Sequence, residues 1–386
     1  MNIVLTGGGS GGHITPILAV AHELKQKAPD CRITYVGQRG DALLDIVHSN
    51  PAIDAVETIW AGKLRRYNGE GWRQLLNIRT QLLNIRDVFR TMRGIVQSYV
   101  LLRRLRPDVL FTRGGFVSVP VALAAKLLAI SYITHDSDST PSLANRLIAR
   151  WAVVHAVALP PELYPYPLDK TVMVGVPVSR HYHKVSATQQ QQFRHELGLD
   201  DFSQTILITG GGNGARKLNI AVVHNARYLL AAFPDLAILH VAGRALEDET
   251  NSYYDELRLG KARSRVQVHG FVTDMYRYSG AADIIVARGG ATNLAEFALQ
   301  AKPVVIVPSA QLVWNVKNSQ ALQQRGAVVE LNEDQAEQPE RLGRLLGGLL
   351  ADEAQRLNLS VHLSEIARPD AAAGLADIII RIGTGE

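Results

Sequence analysis

Short apolar runs alternate with stretches of helical period along almost the whole 386-residue chain, and the alternation restarts once. Runs at 3–5, 33–36, 55–59, 109–111, 132–134, 153–157 and 172–174 have the length of strands. Helix-period stretches at 16–27, 42–48, 119–128 and 143–149 lie between them. Strands joined through helices make a parallel sheet, because parallel neighbours need a long crossover. Pro160, Pro161, Pro165, Pro167 and Pro177 then punctuate a region that no single regular element can span. A polar helix near 189–197 follows, and runs at 206–209, 238–241, 266–269, 284–287, 304–307 and 328–331 repeat the scheme. The pattern predicts an α/β chain of two tandem Rossmann-like domains, closed by helices at 341–366 and 371–381 on either side of Pro369.

Both halves open in the same way, on a strand, a glycine loop and a helix. The first loop is Thr6-Gly-Gly-Gly-Ser-Gly-Gly-His13, with the helix expected from Pro16. Glycine lets the backbone turn tightly and come close to a ligand, and a helix start offers unpaired N–H groups to an anion. Gly7, Gly9 and Gly12 match the spacing of a dinucleotide site, but that site also wants an acid at the end of the second strand. Here the strand ends Val36-Gly-Gln-Arg39, with no acid. His13 beside an anion site has the chemistry of a general base, and a helix N-terminus favours its neutral form. A capping or packing histidine is the alternative.

The second loop, Gly210-Gly-Gly-Asn-Gly214, brings further backbone donors, with Arg216 to add charge. The third, Ala287-Arg-Gly-Gly-Ala-Thr-Asn-Leu-Ala-Glu296, runs into a helix expected from about Thr292. Its N–H groups and Arg288 suit a departing diphosphate without a metal, and Glu296 suits both hydroxyls of a ribose. Glycine loops facing each other across a cleft suggest a nucleotide held between the domains.

The net charge of +5 is unevenly spread. Residues 60–106 hold eleven Lys and Arg against two acids, which makes that segment +9 and the remainder −4. The arginines are interleaved with Trp60, Leu64, Trp72, Leu82, Ile85 and Phe89, the make-up of a helix lying on an anionic membrane. A solvated helix face is the plainer alternative, and a nucleic-acid partner is not expected. No transmembrane helix is expected, since the apolar stretch 117–133 is broken by Pro120 and Lys126. The single Cys31 allows no internal disulfide and suits a reducing cytosol. No cofactor or metal is expected, and His181-Tyr-His183 reads as surface because no carboxylates accompany it.

Taken together, GGGSGGHITP, PDVLFTRGGFVSVPVALAA at 107–125, HDSDSTPSLANRLIA at 135–149, VGVPV at 174–178, GGGNGAR at 210–216 and GFVTDMYRYSGAADIIVARGGATNLAE at 270–296 resemble one family. It is that of the murein-precursor N-acetylglucosaminyltransferases, two-domain glycosyltransferases of the GT-B fold. The resemblance runs over nearly the whole chain. It implies inverting transfer of N-acetylglucosamine from UDP-GlcNAc to the muramoyl 4-hydroxyl of undecaprenyl-diphospho-MurNAc-pentapeptide, in peptidoglycan synthesis. The enzyme would sit peripherally on the cytoplasmic face of the membrane, docked through an apolar and basic patch matching 60–106.

The same resemblance implies an acceptor- and membrane-binding domain at 1–176, a donor domain at 177–366 and a crossing-back helix at 367–386, with a cleft between the domains. His13 matches the histidine at or near the catalytic base. Ser10, Gly11 and Gly12 match donor-sugar contacts, Val272 a uracil contact, and Ala291, Thr292, Asn293, Leu294, Ala295 and Glu296 the diphosphate and ribose helix. Four donor-site positions depart from the usual residues. Asp138 ends His-Asp-Ser-Asp where the family reads His-Glu-Gln-Asn. Gly212 stands in the second loop's Ser-Gln pair, Ser179 at an interdomain arginine, and Asn315 in the pair of glutamines that contacts the sugar. Beside the leading reading stand another GT-B transferase with a different UDP-sugar or lipid acceptor, a GT-B epimerase, and a non-catalytic membrane-associated binding protein.

Overall fold

The computed structural model describes residues 1–8, 11–41, 43–63, 78–138 and 140–385. These form two units, Met1–Ser179 with Arg368–Glu386, and Arg180–Ala367. In the first unit the elements run β1 (Asn2–Thr6), α1 (Gly11–Lys27), β2 (Arg32–Gln38), α2 (Leu44–His48), β3 (Ala55–Ile59), α3 (Ile78–Leu105), β4 (Val109–Thr112), α4 (Ser118–Leu127), β5 (Tyr132–Asp136), α5 (Leu143–Ile148), β6 (Val154–Val157) and β7 (Thr171–Met173). All seven strands are parallel, in the order β3-β2-β1-β4-β5-β6-β7. Val4, Val36, Leu110 and Tyr132 share one core with Val121 and Ala125 of α4. β4 and β5 are buried along their whole length, as strands covered on both faces must be.

The helix expected from Pro16 begins five residues earlier, at Gly11. Pro16 is therefore inside the helix, where it lacks the N–H that would reach the carbonyl four residues back. Ile14, Ile17, Val20 and Leu24 are fully buried, and that burial holds the first turns in helical form despite two glycines and the proline. His13 thus sits on the first turn of α1 instead of on a loop before it.

In the second unit the elements are α6 (Ala187–Glu196), β8 (Gln204–Thr209), α7 (Arg216–Ala232), β9 (Leu236–Val241), α8 (Glu247–Glu256), β10 (Val266–His269), α9 (Met275–Ala281), β11 (Ile284–Ala287), α10 (Ala291–Leu299), β12 (Val304–Ile306), α11 (Val313–Gln324), β13 (Val329–Glu330), α12 (Glu333–Ala336), α13 (Arg341–Ala351) and α14 (Glu353–Ser364). Its parallel order is β10-β9-β8-β11-β12-β13. Strand alternation divides the core in two. Ile206, Ile208, Ile238 and Val286 pack with α7 and α13, while Leu207, Leu239, Ile285 and Ile306 pack with Leu294 and Phe297 of α10.

The single helix expected over 341–366 is two. Asp352 leaves helical geometry and its side chain accepts from the Gln355 N–H at 2.9 Å, capping a new helix. The last helix, α15 (Ala371–Thr384), belongs to the first unit and packs on α1. Lys27 Nζ there donates to Asp377 at 2.5 Å and to the Ala373 carbonyl at 3.1 Å.

Candidate active site

Each sheet changes winding direction once, between β1 and β4 in the first unit and between β8 and β11 in the second. Ligands of open α/β sheets bind outside the strand ends at such points. All the glycine loops singled out by sequence stand at these two places.

At the first, the Tyr35 hydroxyl donates to the Gly7 carbonyl, and a Cβ on Gly7 would lie 2.7 Å from Ile17 Cδ1. The loop after β4, Arg113-Gly-Gly115, has both glycines at positive φ. A Cβ on Gly115 would lie 2.9 Å from the Gly8 carbonyl oxygen and 3.7 Å from the His13 ring. Only glycine lets the two loops meet so closely.

The half-buried His13 ring has a buried Nδ1 with no hydrogen-bond partner among the described residues. Burial, and then the Arg113 guanidinium, lower its pKa to about 4, against a hydrogen bond to the Arg113 backbone. It is therefore a neutral imidazole near pH 7, with a free nitrogen able to take a proton. Arg113 is itself buried, which lowers its pKa to about 10 while Asp138 and Asp136 support its charge. Asp136 accepts from the Tyr166 hydroxyl at 2.7 Å and the Ser142 N–H at 3.2 Å. Burial raises its pKa, and those bonds oppose the rise. His135 Nε2 donates to the Gly175 carbonyl at 2.8 Å.

Of the residues expected in the site, this unit holds His13, Gly11, Gly12 and the half-buried Asp138, with Ser179 as the last residue of its main segment. Ser10 lies outside the described residues. Arg113 escaped notice in the sequence, where a basic residue before two glycines looks like an ordinary turn.

At the second point, α7 and α10 both start without a side-chain cap, so their first N–H groups point out of the strand ends. Gly211 and Gly214 have positive φ, and a Cβ on Gly211 would lie 4.0 Å from Asn293 Nδ2. The loop carrying Gly212 thus adjoins the first turn of α10, with Ala291, Thr292, Asn293, Leu294, Ala295 and Glu296 on that helix. Asn315, at the start of α11, is 4% exposed with its Oδ1 unpartnered among the described residues. A Cβ on Gly289 would meet the Asn315 carbonyl at 2.5 Å, which sets α11 against the turn before α10. Val272 lies in the turn after β10, half-buried against the core.

Arg288 is placed differently from expectation. Its Nη2 pairs with Glu333 Oε1 at 2.7 Å, and its Nη1 donates to the Val307 carbonyl at 2.8 Å. With that charge matched, Arg288 braces β11 against α12, and an arriving diphosphate meets helix N-termini instead. Arg216 similarly pairs with Glu249 at 2.8 Å.

Glu296 is 7% exposed, and burial raises its pKa to about 8 against a hydrogen bond from Tyr182. Tyr182 lies in the His181-Tyr-His183 segment expected to be plain surface. Instead, His181 stacks on Tyr276 at 4.8 Å and Tyr182 turns to Glu296. No group of three or more His, Cys, Asp or Glu among the described residues has metal-site geometry.

Away from both points, α3 exposes Ile78, Leu82, Ile85, Phe89, Met92, Val96 and Val100 at helical spacing and buries Asp87, Ser98 and Leu102. Beside this stripe Trp60 has Arg39, Arg90 and Arg93 at 5.7, 5.2 and 5.7 Å from its ring centre. Residues 64–77 of the basic segment lie outside the described residues. No helix among the described residues is long and apolar enough to cross a membrane.

Comparison with known proteins decides the family. The glycosyltransferase family 28 N-terminal domain matches residues 3–156 and the family's C-terminal domain residues 205–372. The UDP-N-acetylglucosamine–N-acetylmuramyl-(pentapeptide) pyrophosphoryl-undecaprenol N-acetylglucosamine transferase of Bacillus pumilus is 30% identical over 387 residues, with both chains covered in full. The chain belongs to glycosyltransferase family 28. A Symbiobacterium thermophilum relative of the same description is 31% identical, covering 99% of this chain and 96% of its own. Among solved structures, Acinetobacter baumannii MurG shares the fold with a TM-score of 0.68 at 24% identity, covering 98% of this chain and 99% of its own. A Neisseria meningitidis UDP-GlcNAc 2-epimerase bound to UDP-GlcNAc has a TM-score of 0.69 at 14% identity, covering 99% and 100%. These folds are built from the two α/β units of the GT-B class, so this family 28 chain shares its architecture with transferases and epimerases alike.

Proposed function

We propose that this family 28 chain moves N-acetylglucosamine from UDP-GlcNAc to the muramoyl 4-hydroxyl of undecaprenyl-diphospho-MurNAc-pentapeptide, with inversion at the sugar. The observation that carries the reading is the full-length match to relatives of that description, on a chain whose glycine loops stand at both winding reversals. In the reaction the acceptor oxygen forms a bond to the donor's anomeric carbon as the bond from that carbon to the UDP oxygen breaks. His13 takes the acceptor proton, directly or through a neighbour. The uncapped start of α10 and the Gly210–Gly214 loop receive the diphosphate charge, and Glu296 accepts from the ribose hydroxyls. Val272 contacts uracil, and Asn315, Gly212, Asp138, Ser179 and the 10–12 loop contact the donor.

The apolar stripe of α3 with the arginines around Trp60 docks the enzyme on the anionic cytoplasmic face of the membrane, where a lipid-linked acceptor is found. The experiment is turnover with a panel of UDP-sugars and a short-chain lipid-linked muramoyl-peptide. UDP-GlcNAc should be the preferred donor and yield a disaccharide lipid. Preference for another sugar, or UDP release without that product, contradicts the reading.

A further inference from the structure

The nucleotide site holds a second buried polar residue, from a segment remote in sequence. Tyr182 reaches Glu296 from the stretch that precedes α6. That stretch runs beside α10: Tyr182 meets Glu296, and the Val185 N–H reaches the Gln300 carbonyl at 3.4 Å, one helical turn further on. It is also clamped from the other side. His181 stacks on Tyr276 at 4.8 Å, the Tyr182 ring meets Tyr276 edge-on at 6.3 Å, and Phe193 of α6 does the same at 6.0 Å. The Gln300 side chain donates to the Tyr276 carbonyl at 2.7 Å, which closes the circuit back to α10. The Tyr182 hydroxyl is thus held in place by aromatic packing, independent of its bond to the carboxylate.

We propose that Tyr182 is a positioning residue for the nucleotide, its hydroxyl holding the Glu296 carboxylate ionised and oriented to accept both ribose hydroxyls. The inference rests on the assignment of Glu296 to the ribose. A carboxylate has about four acceptor sites on two oxygens, so one tyrosine and two ribose hydroxyls can donate to it together. A protonated carboxyl keeps fewer and presents a donor of its own. Burial favours that protonated form, and the tyrosine bond opposes it. Glu296 sits close to its balance point near neutral pH, which makes the loss of one donor consequential.

The groups near this pair have other attachments. Tyr182 is itself raised far above neutrality by burial, Glu296, Asp274 and Tyr276. On α14, which packs against α10, Arg356 donates to the Leu349 and Leu350 carbonyls at 2.6 and 2.7 Å, and His362 lies 3.3 Å from the Gly326 carbonyl. Glu353 opens α14 at its far end, in the first turn.

The test is UDP binding by calorimetry from pH 7 to 9.5, above the second phosphate ionisation at about 6. The proteins are the intact chain, Tyr182→Phe, Glu296→Gln and the double variant, each checked for an unchanged thermal transition. The intact chain should bind more tightly as pH rises through about 8. Tyr182→Phe should bind about tenfold more weakly at pH 7.5, the scale of a hydrogen bond to a charged group, with its midpoint moved upward. It should raise the donor KM with little change in kcat, and add nothing to Glu296→Gln. Unchanged binding by Glu296→Gln would overturn the ribose assignment itself. Weakened binding by Glu296→Gln, with Tyr182→Phe keeping both affinity and midpoint or adding its full effect in the double variant, would overturn the role of Tyr182 alone.

Discussion

His13 combines three features that a proton acceptor needs: a place at a strand-end loop, a neutral ring and a nitrogen free of protein partners. Its lowered pKa has a cost, since a base with a pKa of about 4 is weak. An arriving diphosphate offsets this, because negative charge beside the ring raises the pKa again. His13→Ala should cut turnover by about 10²- to 10⁴-fold, the usual worth of general base catalysis, and leave UDP affinity nearly intact. By NMR, the free chain's His13 should titrate near 4; a value near the ordinary 6.5 would contradict the burial account. His13, Glu296 and the glycines were legible in sequence because each sits in a short contiguous motif. Arg113 and Tyr182 were not. Their meaning comes from what they meet in space, and local spacing carries no record of Asp136 beside Arg113 or of Glu296 beside Tyr182.

Among the elements, α3 is the one whose exposed face has no account inside the unit. A stripe of large apolar residues facing water is costly unless something covers it, and Phe89 alone is 67% exposed. Leu82→Glu with Phe89→Glu should abolish flotation with anionic liposomes while leaving the thermal transition unchanged; retained flotation would remove α3 from the docking surface. In the second unit, α13 lies on α7 through Leu342 and Leu346, both fully buried. Leu346→Ala should destabilise the unit by about 2–5 kcal/mol, measured by denaturant unfolding. Strands were read well from the sequence, since alternating burial leaves a plain period. Helix limits were read less well. The α1 start was hidden because Gly11 and Gly12 favour no one conformation, and the break at Asp352 because one capping side chain ends a helix without disturbing the apolar spacing.

For the whole molecule, the account joins two α/β units with one chemical task each: proton removal from an acceptor at the β1/β4 reversal, and reception of UDP at the β8/β11 reversal. The repetition of strand, glycine loop and helix made both units visible in the chain before any coordinates. The substrate specificity is less visible, because it depends on side chains such as Asn315 whose partners are supplied by the fold. The most direct measurement is the structure of the product formed from UDP-GlcNAc and a lipid-linked muramoyl-peptide, determined by mass spectrometry and anomeric NMR. The account predicts one disaccharide per UDP released, linked at the muramoyl 4-hydroxyl, with the anomeric configuration opposite to the donor's. Retained configuration, or UDP released into water without a disaccharide, would contradict it.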